Sequence, residues 1–132
     1  MALRILIVDD DPTVLAIAQA ALEQLGHRVK AQDEAFGTTD RILREKPDVV
    51  LMDVNLPGLS GARLVELAAE RQDVECAFVL WSGIDEKELD EMCREVGAFS
   101  WISKKLGPAD FARRFTEVTQ PLARAKRSGR PA

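Results

Sequence analysis

The sequence lacks the features of a membrane protein, a secreted protein or a small metal-stabilised domain. No apolar run approaches the roughly 20 residues that a membrane-spanning helix requires. The first residues lead directly into an apolar segment, without the pattern of a signal peptide. Cys76 and Cys93 lack metal-ligand spacing and are expected to be free thiols inside the fold. We therefore expect a cytoplasmic protein that needs no metal or disulfide to hold its core.

Histidine is scarce, and basic residues are in deficit over most of the chain. The single histidine, His27, follows a helix-ending glycine and is expected to be exposed and without a role. The net charge of the 132 residues is −4, but segment 124–132 holds four of the 18 Lys and Arg residues and none of the 22 acids. Residues 1–123 therefore carry a charge of −8, which argues against nucleic acid as a partner. No repeat or linker divides them, and we predict one domain over 1–123, followed by a basic, disordered tail at 124–132.

Short apolar segments alternate with helical patterns along the whole chain. Strands are predicted at 3–8, 28–31, 49–53, 77–81 and 99–102. Helices are predicted at 12–25, 34–46, 60–71, 85–96 and from 108 onward. Asp11 and Pro12 are typical of a helix start, whereas Pro121 should bend or end the last helix. The alternation implies βαβ crossovers, and hence an α/β fold with one doubly wound, five-stranded parallel sheet covered by five helices.

Polar side chains stand at the ends of four predicted strands: Asp9 and Asp10, Asp53, Ser82 and Lys104. Because the carboxyl ends of parallel strands meet at one edge of a sheet, we expect these side chains to form one pocket. Three crowded carboxylates repel one another unless a cation neutralises them, and Mg²⁺ prefers such oxygen ligands. Lys104 and the Ser82 hydroxyl then remain as donors, and a phosphoryl group on Asp53 would satisfy both. Asp53 needs no general base, because a carboxylate with a pKa of about 3.9 is ionised at neutral pH.

The chain resembles the receiver domain of two-component response regulators over residues 3–120. The matching motifs are Ile5–Pro12, Asp53 with Leu56-Pro57-Gly58 and Gly61, Ser82-Gly83, and Gly97-Ala98 followed by Lys104. The resemblance implies a flavodoxin-like fold with strand order 2-1-3-4-5, and a stand-alone regulator similar to chemotaxis regulators. It also implies that Asp53 accepts a phosphoryl group from a histidine kinase or a phosphotransfer protein. Such a chain is not an enzyme beyond catalysing its own phosphorylation and dephosphorylation.

The same resemblance implies roles for the other residues of the pocket. Mg²⁺, for which Mn²⁺ can substitute, would be bound by Asp9, Asp10, Asp53 and the backbone carbonyl of Asn55. The phosphoryl group would be contacted by Ser82, Gly83 and Lys104. Trp101 holds the aromatic switch position, and the positions that tune dephosphorylation are held by Asn55 and Ile84.

Two positions depart from the receiver pattern. Lys105 stands where receivers usually have a proline in a cis peptide, and a non-proline cis bond costs about 2.5–4 kcal/mol. The loop is therefore either trans or strained. Lys105 also competes with Lys104 for the phosphoryl-binding role, although the distance from Gly97-Ala98 favours Lys104. Trp101 is bulkier than the usual Tyr or Phe, which should restrict its inward rotamer.

With no effector domain in the chain, the signal is expected to leave through a protein surface. The predicted face is made by the helix at 85–96, the strand at 99–102 and the last helix. The first of these carries the acids Asp85, Glu86, Glu88, Asp90, Glu91 and Glu95, and the last carries Arg113 and Arg114. Such complementary charge predicts binding to a downstream protein or to a second copy of the chain. Ordinary solvated helix faces would explain the same residues equally well.

Two alternative functions remain open. A degenerate receiver would keep the fold but act as a phosphorylation-independent binding module, which the unusual Lys105 allows. A haloacid dehalogenase-type phosphatase would use Asp9-Asp10-Asp11-Pro12-Thr13 as its D-x-D-x-T motif. That alternative leaves Asp53 unexplained, and the acidic pair that such phosphatases have after their lysine does not follow Lys104.

Overall fold

Five parallel strands form the central sheet of the computed structural model, which describes residues 2–129. The strands are β1 (Arg4–Val8), β2 (Arg28–Gln32), β3 (Val49–Asp53), β4 (Ala77–Ser82) and β5 (Ser100–Ser103). They lie in the order β2-β1-β3-β4-β5, and each pair of neighbours is parallel. The predicted fold class and strand order are confirmed.

In the described part of the chain, five helices cover both faces of the sheet: α1 (Pro12–Gln24), α2 (Thr38–Glu45), α3 (Gly61–Ala69), α4 (Glu86–Val96) and α5 (Pro108–Arg127). α1 and α5 pack on one face, where β3 presents Val49 and Leu51. α2, α3 and α4 pack on the other face, where β3 presents Val50 and Met52. All five residues of β3 are buried, which explains why this strand is an uninterrupted apolar run up to Asp53.

Two segments between strands differ from the predictions. α2 begins at Thr38 and not at residue 34, because Gly37 has a left-handed φ of 81° that a helix does not accommodate. The buried Thr38 hydroxyl donates a 2.7 Å hydrogen bond to a carbonyl of the preceding turn. After β3, the Pro57-Gly58 turn is closed by a short antiparallel ladder of Asn55–Leu56 with Leu59–Ser60, where only a loop was predicted.

The last helix continues through Pro121 and into the segment that was predicted to be a disordered tail. α5 runs through Pro121, which therefore does not finish the helix. Beyond Pro121, Leu122 is buried in the core, and the Lys126 ammonium lies 2.7 Å from Asp48 Oδ2. Because these tertiary contacts hold the extra turns, the prediction of a disordered tail is wrong for residues 124–127. Residues 130–132 of that predicted tail lie outside the described part of the chain.

Both cysteines are free within residues 2–129, with Cys93 buried and Cys76 partly buried. Burial raises the pKa of the Cys76 thiol to about 12, so this thiol stays protonated and unreactive at neutral pH. Over the same residues, the helices are too short or too polar for any of them to cross a bilayer.

Candidate functional site

Three carboxylates lie together at the carboxyl edge of the sheet. β1 and β3 are neighbours with Val8 beside Met52, so the next residues, Asp9 and Asp53, follow side by side. Carboxylate oxygens of Asp9, Asp10 and Asp53 all lie within 4.8 Å of one another. Asp9 is fully buried and Asp53 nearly so, whereas Asp10 is exposed. The structure therefore brings together the three acids that were predicted from the strand ends.

The loop after β1 fixes Asp9 through its own backbone. Asp9 Oδ1 accepts a 2.9 Å hydrogen bond from the Asp11 N–H. The Asp11 carboxylate in turn accepts hydrogen bonds from the N–H groups of Thr13 and Val14, at 2.9 and 3.3 Å, and so caps α1. Asp11 therefore serves as a helix cap and leaves the pocket to Asp9 and Asp10.

Lys104, the first residue after β5, supplies the positive charge of the site. Its ammonium forms ion pairs with Asp9 and with Asp53, whose Oδ1 lies 3.2 Å away. Its backbone N–H donates to the Ser82 carbonyl at 2.8 Å, which continues the β4–β5 pairing beyond the strand. Among residues 2–129, the exposed Lys105 has no carboxylate at ion-pair distance, and the peptide bonds, Lys104–Lys105 included, are trans. The structure thus places Lys104 and not Lys105 at the carboxylates.

Burial dominates the electrostatics of Asp53. It raises the pKa of the Asp53 carboxyl above its usual value, and the neighbouring Asp9 charge acts in the same direction. The Asn55 N–H, 3.1 Å from Asp53 Oδ1, and the Lys104 ammonium both favour the charged form without offsetting burial. An additional cation beside the carboxylates would therefore stabilise the ionised form of Asp53.

The donor set of this pocket fits a divalent cation that prefers oxygen ligands. Asp9, Asp10 and Asp53 offer three carboxylates, and within residues 2–129 a single ammonium, that of Lys104, is paired with two of them. Mg²⁺ and Mn²⁺ are both bound by such hard oxygen donors. The charge deficit of the pocket is thus of the kind that a bound divalent cation would balance.

Ser82 ends β4 and is buried beside the pocket. Its hydroxyl oxygen accepts a 3.2 Å hydrogen bond from the Ile84 N–H, while Gly83 between them is exposed. Because this bond uses the oxygen as an acceptor, the hydroxyl hydrogen remains available for an anionic group. Within residues 2–129 no hydrogen bond joins the Ser82 hydroxyl to Asp53, so a ligand is needed to connect them.

Gly61, the first residue of α3, lies against the backbone of Asp53. A Cβ atom at this position would stand 1.8 Å from the Asp53 carbonyl oxygen and 3.0 Å from Met52 Cγ. The Gly61 N–H donates to the Val54 carbonyl at 2.9 Å and holds the helix start against the end of β3. The sequence motif contained Gly61 without a physical reason for it. That reason is a close backbone approach, which only the folded chain displays.

The two tryptophans lie on opposite faces of the sheet near the site. Trp81 belongs to the core between the sheet and α1 and α5, and the Lys104 ammonium lies 4.9 Å from its ring centre. A cation over an aromatic ring is attracted to it, so Trp81 helps to hold Lys104 in place. This contact was not predicted, although Trp81 directly precedes Ser82 on the strand beside Lys104. Trp101, the predicted switch residue, is partly buried on the α4 side of β5.

Comparison with known proteins identifies similar sequences. Residues 5–116 match the family model described as the response regulator receiver domain. The protein PilH of Pseudomonas aeruginosa is 33% identical over 102 residues, which cover 76% of this chain and 84% of PilH. The chain spans about half the length of several other curated relatives that it matches.

Comparison with solved structures identifies similar folds. The chemotaxis response regulator CheY4 of Vibrio cholerae superimposes with a TM-score of 0.81 over 89% of this chain and 99% of that one. At 19% identity this likeness concerns the fold alone. The BeF3-activated receiver domain of RstA from Klebsiella pneumoniae has a TM-score of 0.72 and is 32% identical, covering 84% of this chain and 93% of that one.

Proposed function

Because the chain belongs to the response regulator receiver domain family, we propose that its Asp53 accepts a phosphoryl group from a histidine kinase or a phosphotransfer protein. The observation that carries this proposal is a buried Asp53 paired with the Lys104 ammonium beside two further carboxylates. The free thiols of Cys76 and Cys93 fit the reducing cytoplasm, where such a donor would meet the chain.

The proposed reaction is an in-line transfer to the Asp53 carboxylate. A carboxylate oxygen forms a bond to phosphorus while the bond from phosphorus to the donor nitrogen breaks, and the nitrogen keeps the electron pair. No general base is required, because Asp53 reacts as a carboxylate and loses no proton. Lys104, 3.2 Å from Asp53 Oδ1, neutralises the charge on the phosphoryl oxygens. The product is an acyl phosphate, and the chain acts on no substrate other than itself.

The proposed cofactor is Mg²⁺, with Mn²⁺ as a substitute, held by Asp9, Asp10, Asp53 and the backbone carbonyl of Asn55. When bound, it supplies charge neutralisation for the carboxylates and the phosphoryl oxygens. The Ser82 hydroxyl and the Gly83 N–H are the proposed donors to those oxygens. Asn55, which is exposed, and Ile84, which is partly buried, would set the access of water and so the rate of dephosphorylation.

The proposed output surface is made by α4, β5 and α5, and it would bind a downstream protein or a second copy of the chain. α4 exposes Glu86, Glu88, Glu91 and Glu95. On α5, the exposed Arg113 pairs with Asp110 at 3.0 Å. Only residues 83–85 separate Ser82 from the start of α4, so a phosphoryl group that draws in its hydroxyl would move this surface.

The dehalogenase-type phosphatase is not supported. It requires Asp9 as the nucleophile, but Asp9 is fully buried, accepts a hydrogen bond from the Asp11 N–H and is paired with Lys104. Both carboxylate oxygens of Asp9 are thus engaged, whereas at Asp53 the Asn55 N–H and the Lys104 ammonium both lie at Oδ1. The matched family is also a different one.

Intact mass spectrometry after incubation with acetyl phosphate and Mg²⁺ tests the proposed function. The wild-type chain should gain one phosphoryl group, and omission of Mg²⁺ or the substitution Asp53→Asn should abolish the gain. The matched control is Lys105→Ala, which should be modified like the wild type. A chain that binds neither acetyl phosphate nor beryllofluoride would instead be a degenerate receiver that works as a binding module.

A further inference from the structure

We propose that Asp90 and Arg114 are positioning residues that clamp Trp101 between α4 and α5, so that the output surface changes only when this clamp opens. The clamp is defined as the side chains of Asp90, Trp101 and Arg114. The proposal deepens the proposed function and rests on it, because the signal that opens the clamp is phosphorylation of Asp53.

One half of the clamp is a hydrogen bond from β5 to α4. The Trp101 Nε1–H donates to Asp90 Oδ1 at 2.9 Å, and both residues are partly buried. A bond to an ionised acceptor is about twice as strong as one between neutral groups. The other carboxylate oxygen of Asp90 lies 3.0 Å from Arg94, one turn along α4, which leaves Oδ1 to the indole.

The other half of the clamp comes from α5. The Arg114 guanidinium carbon lies 4.9 Å from the centre of the Trp101 ring, at cation–π distance. Arg114 Nη2 also donates to the Trp101 carbonyl at 3.0 Å. A single arginine thus holds both the ring and the backbone of Trp101. The indole is restrained from both helices of the output surface.

The clamp is specific to the tryptophan of this chain. Phenylalanine has no donor, and the hydroxyl of tyrosine stands at the far end of its ring, whereas the indole N–H stands at the side of the ring that meets Asp90. The indole of Trp101 is therefore matched by a hydrogen-bond acceptor on α4, the Asp90 carboxylate. For the Trp101 ring to adopt another rotamer, it must lose its hydrogen bond to the Asp90 carboxylate and its cation–π contact with Arg114.

The clamp is connected to the phosphorylation site by the pairing of β4 with β5. Trp101 lies opposite Leu80, and two residues further on Ser82 lies opposite Ser103, which precedes Lys104. A phosphoryl group that recruits Ser82 and Lys104 therefore pulls on the two strand ends next to Trp101. If the clamp stabilises the unphosphorylated arrangement, its loss must favour binding of a phosphoryl group, because the two equilibria are linked.

The indole N–H signals of the ¹⁵N-labelled full chain test the resting clamp. The sequence contains two tryptophans, so the spectrum holds two such signals, and Trp101→Phe assigns them. Asp90→Ala should shift the Trp101 signal and speed its hydrogen exchange by about tenfold, since the bond to a charged acceptor is lost. The Trp81 signal, on the other face of the sheet, should not move. The matched controls are Glu91→Ala, which removes a neighbouring acid, and Arg94→Ala, which breaks the Asp90–Arg94 pair alone.

Beryllofluoride binding in the presence of Mg²⁺ tests the coupling. Asp90→Ala and Arg114→Ala should bind this phosphoryl analogue about threefold to tenfold more tightly than the wild type. Glu91→Ala and Arg113→Ala, which leave the clamp intact, should bind like the wild type. Arg114→Lys keeps the charge but not the planar guanidinium, and it should resemble Arg114→Ala.

The outcomes separate the two proposals. An unchanged Trp101 signal in Asp90→Ala, or an equal change in Arg94→Ala, overturns the clamp. Normal phosphorylation with the same beryllofluoride affinity in all variants overturns the coupling but not the proposed function. Absence of both phosphorylation and beryllofluoride binding in the wild type overturns the proposed function together with the coupling, and the indole signals alone then decide whether the clamp exists.

Discussion

At Asp53, burial and neighbouring charges act in opposite directions on one carboxyl group. Burial raises the pKa of Asp53 above its usual value of 3.8 despite the Lys104 ammonium and the Asn55 N–H. The folded state therefore binds the proton more tightly than the unfolded state does. The contribution of Asp53 to folding stability is fully present below the unfolded-state pKa and is lost as the pH rises through the folded-state pKa. At neutral pH without a divalent cation, this carboxylate destabilises the fold.

Asp53→Asn should accordingly stabilise the chain at neutral pH. The free energy of unfolding of the variant should exceed that of the wild type at pH 7 in EDTA, and the difference should shrink as the pH falls towards 4, because the wild-type carboxyl then becomes neutral as well. Urea unfolding at the two pH values measures this difference. Asp33→Asn, at an exposed position, is the control. Equal stability of Asp53→Asn and wild type at pH 7 would contradict the assignment of burial as the dominant cause.

His27 is a structural acceptor and not the exposed, idle residue that the sequence predicted. Its Nδ1 accepts a 3.0 Å hydrogen bond from the Leu3 N–H, and its ring packs edge-on against Phe115 of α5. Partial burial lowers the pKa of His27, and the positive charge of Lys126 acts in the same direction. Only the neutral ring can accept the Leu3 N–H, so this contact depends on pH.

The contribution of His27 to stability should be complete above its usual pKa of 6.5 and should be lost as the pH falls through the folded-state pKa. His27→Ala should cost about 1–3 kcal/mol at pH 7.5, because the Leu3 N–H loses its partner. His27→Asn retains an acceptor that does not titrate, so it should keep most of the stability and lose the pH dependence. Urea unfolding at pH 7.5 and 5.5 provides the comparison. A wild-type slope that persists in His27→Asn would assign the pH dependence to other groups.

The residues of the site differed in how far the sequence revealed them. Asp9, Asp53 and Lys104 were predictable because each stands directly at the end of a strand, where topology alone determines the neighbours. Asp90 and Arg114 were not, since they lie on helices, 11 and 13 residues from Trp101, and a charged helical residue usually faces solvent. The contacts that these helical side chains make with Trp101 on β5 depend on rotamers that no sequence period records.

Among the elements, the start of α3 is fixed by the end of β3. Gly61→Ala would place its Cβ 1.8 Å from the Asp53 carbonyl oxygen, so either α3 or the end of β3 must move. We expect a loss of stability of about 1–3 kcal/mol, as for other overpacked sites, and slower phosphorylation by acetyl phosphate. Urea unfolding and the rate of adduct formation measure the two effects.

Gly107→Ala is the matched control for Gly61→Ala. Gly107 has a φ of −69° and open space where the Cβ of alanine would stand, so this substitution causes no overlap. Its cost should be limited to the preference for glycine over alanine at the N-cap of α5, about 0.5–1 kcal/mol, and phosphorylation should be unchanged. If Gly61→Ala were as stable and as readily phosphorylated as Gly107→Ala, the close approach of α3 to Asp53 would have no bearing on the site.

The elements themselves were largely predictable, and the end of α5 is the exception with a long-range cause. β3 must be buried on both faces, and this requirement leaves an apolar run that local pattern detects. Pro121 is also a local signal, but the turns of α5 that follow it are held by Leu122 in the core and by Lys126 on Asp48, 78 residues away. The local signal of Pro121 therefore predicted that the helix bends or ends there, whereas long-range contacts extend α5 to Arg127.

For the whole molecule, the carboxylate pocket couples folding stability to the proposed binding of a cation. Asp9 and Asp53 are buried, so their mutual repulsion opposes folding, and a cation that binds the folded pocket would relieve it. A ligand that binds only the folded state stabilises it by mass action. The proposed Mg²⁺ site therefore makes a prediction about unfolding that requires no phosphoryl donor.

Mg²⁺ at about ten times its dissociation constant should stabilise the chain by about 1.4 kcal/mol, which corresponds to a rise in Tm of about 3–5 °C for a domain of this size. Asp10→Asn should abolish most of this rise without harming the fold, because Asp10 is exposed and makes no side-chain hydrogen bond or ion pair within residues 2–129. Asp11→Asn, on the adjacent residue, should keep the full response, since asparagine also caps a helix well.

Thermal unfolding in Mg²⁺ and in NaCl of equal ionic strength separates specific binding from screening, because screening alone would raise the Tm of all three chains equally in either salt. An equal rise in all three chains would mean that salt screens the negative surface charge of residues 1–123 and that no cation binds in the pocket.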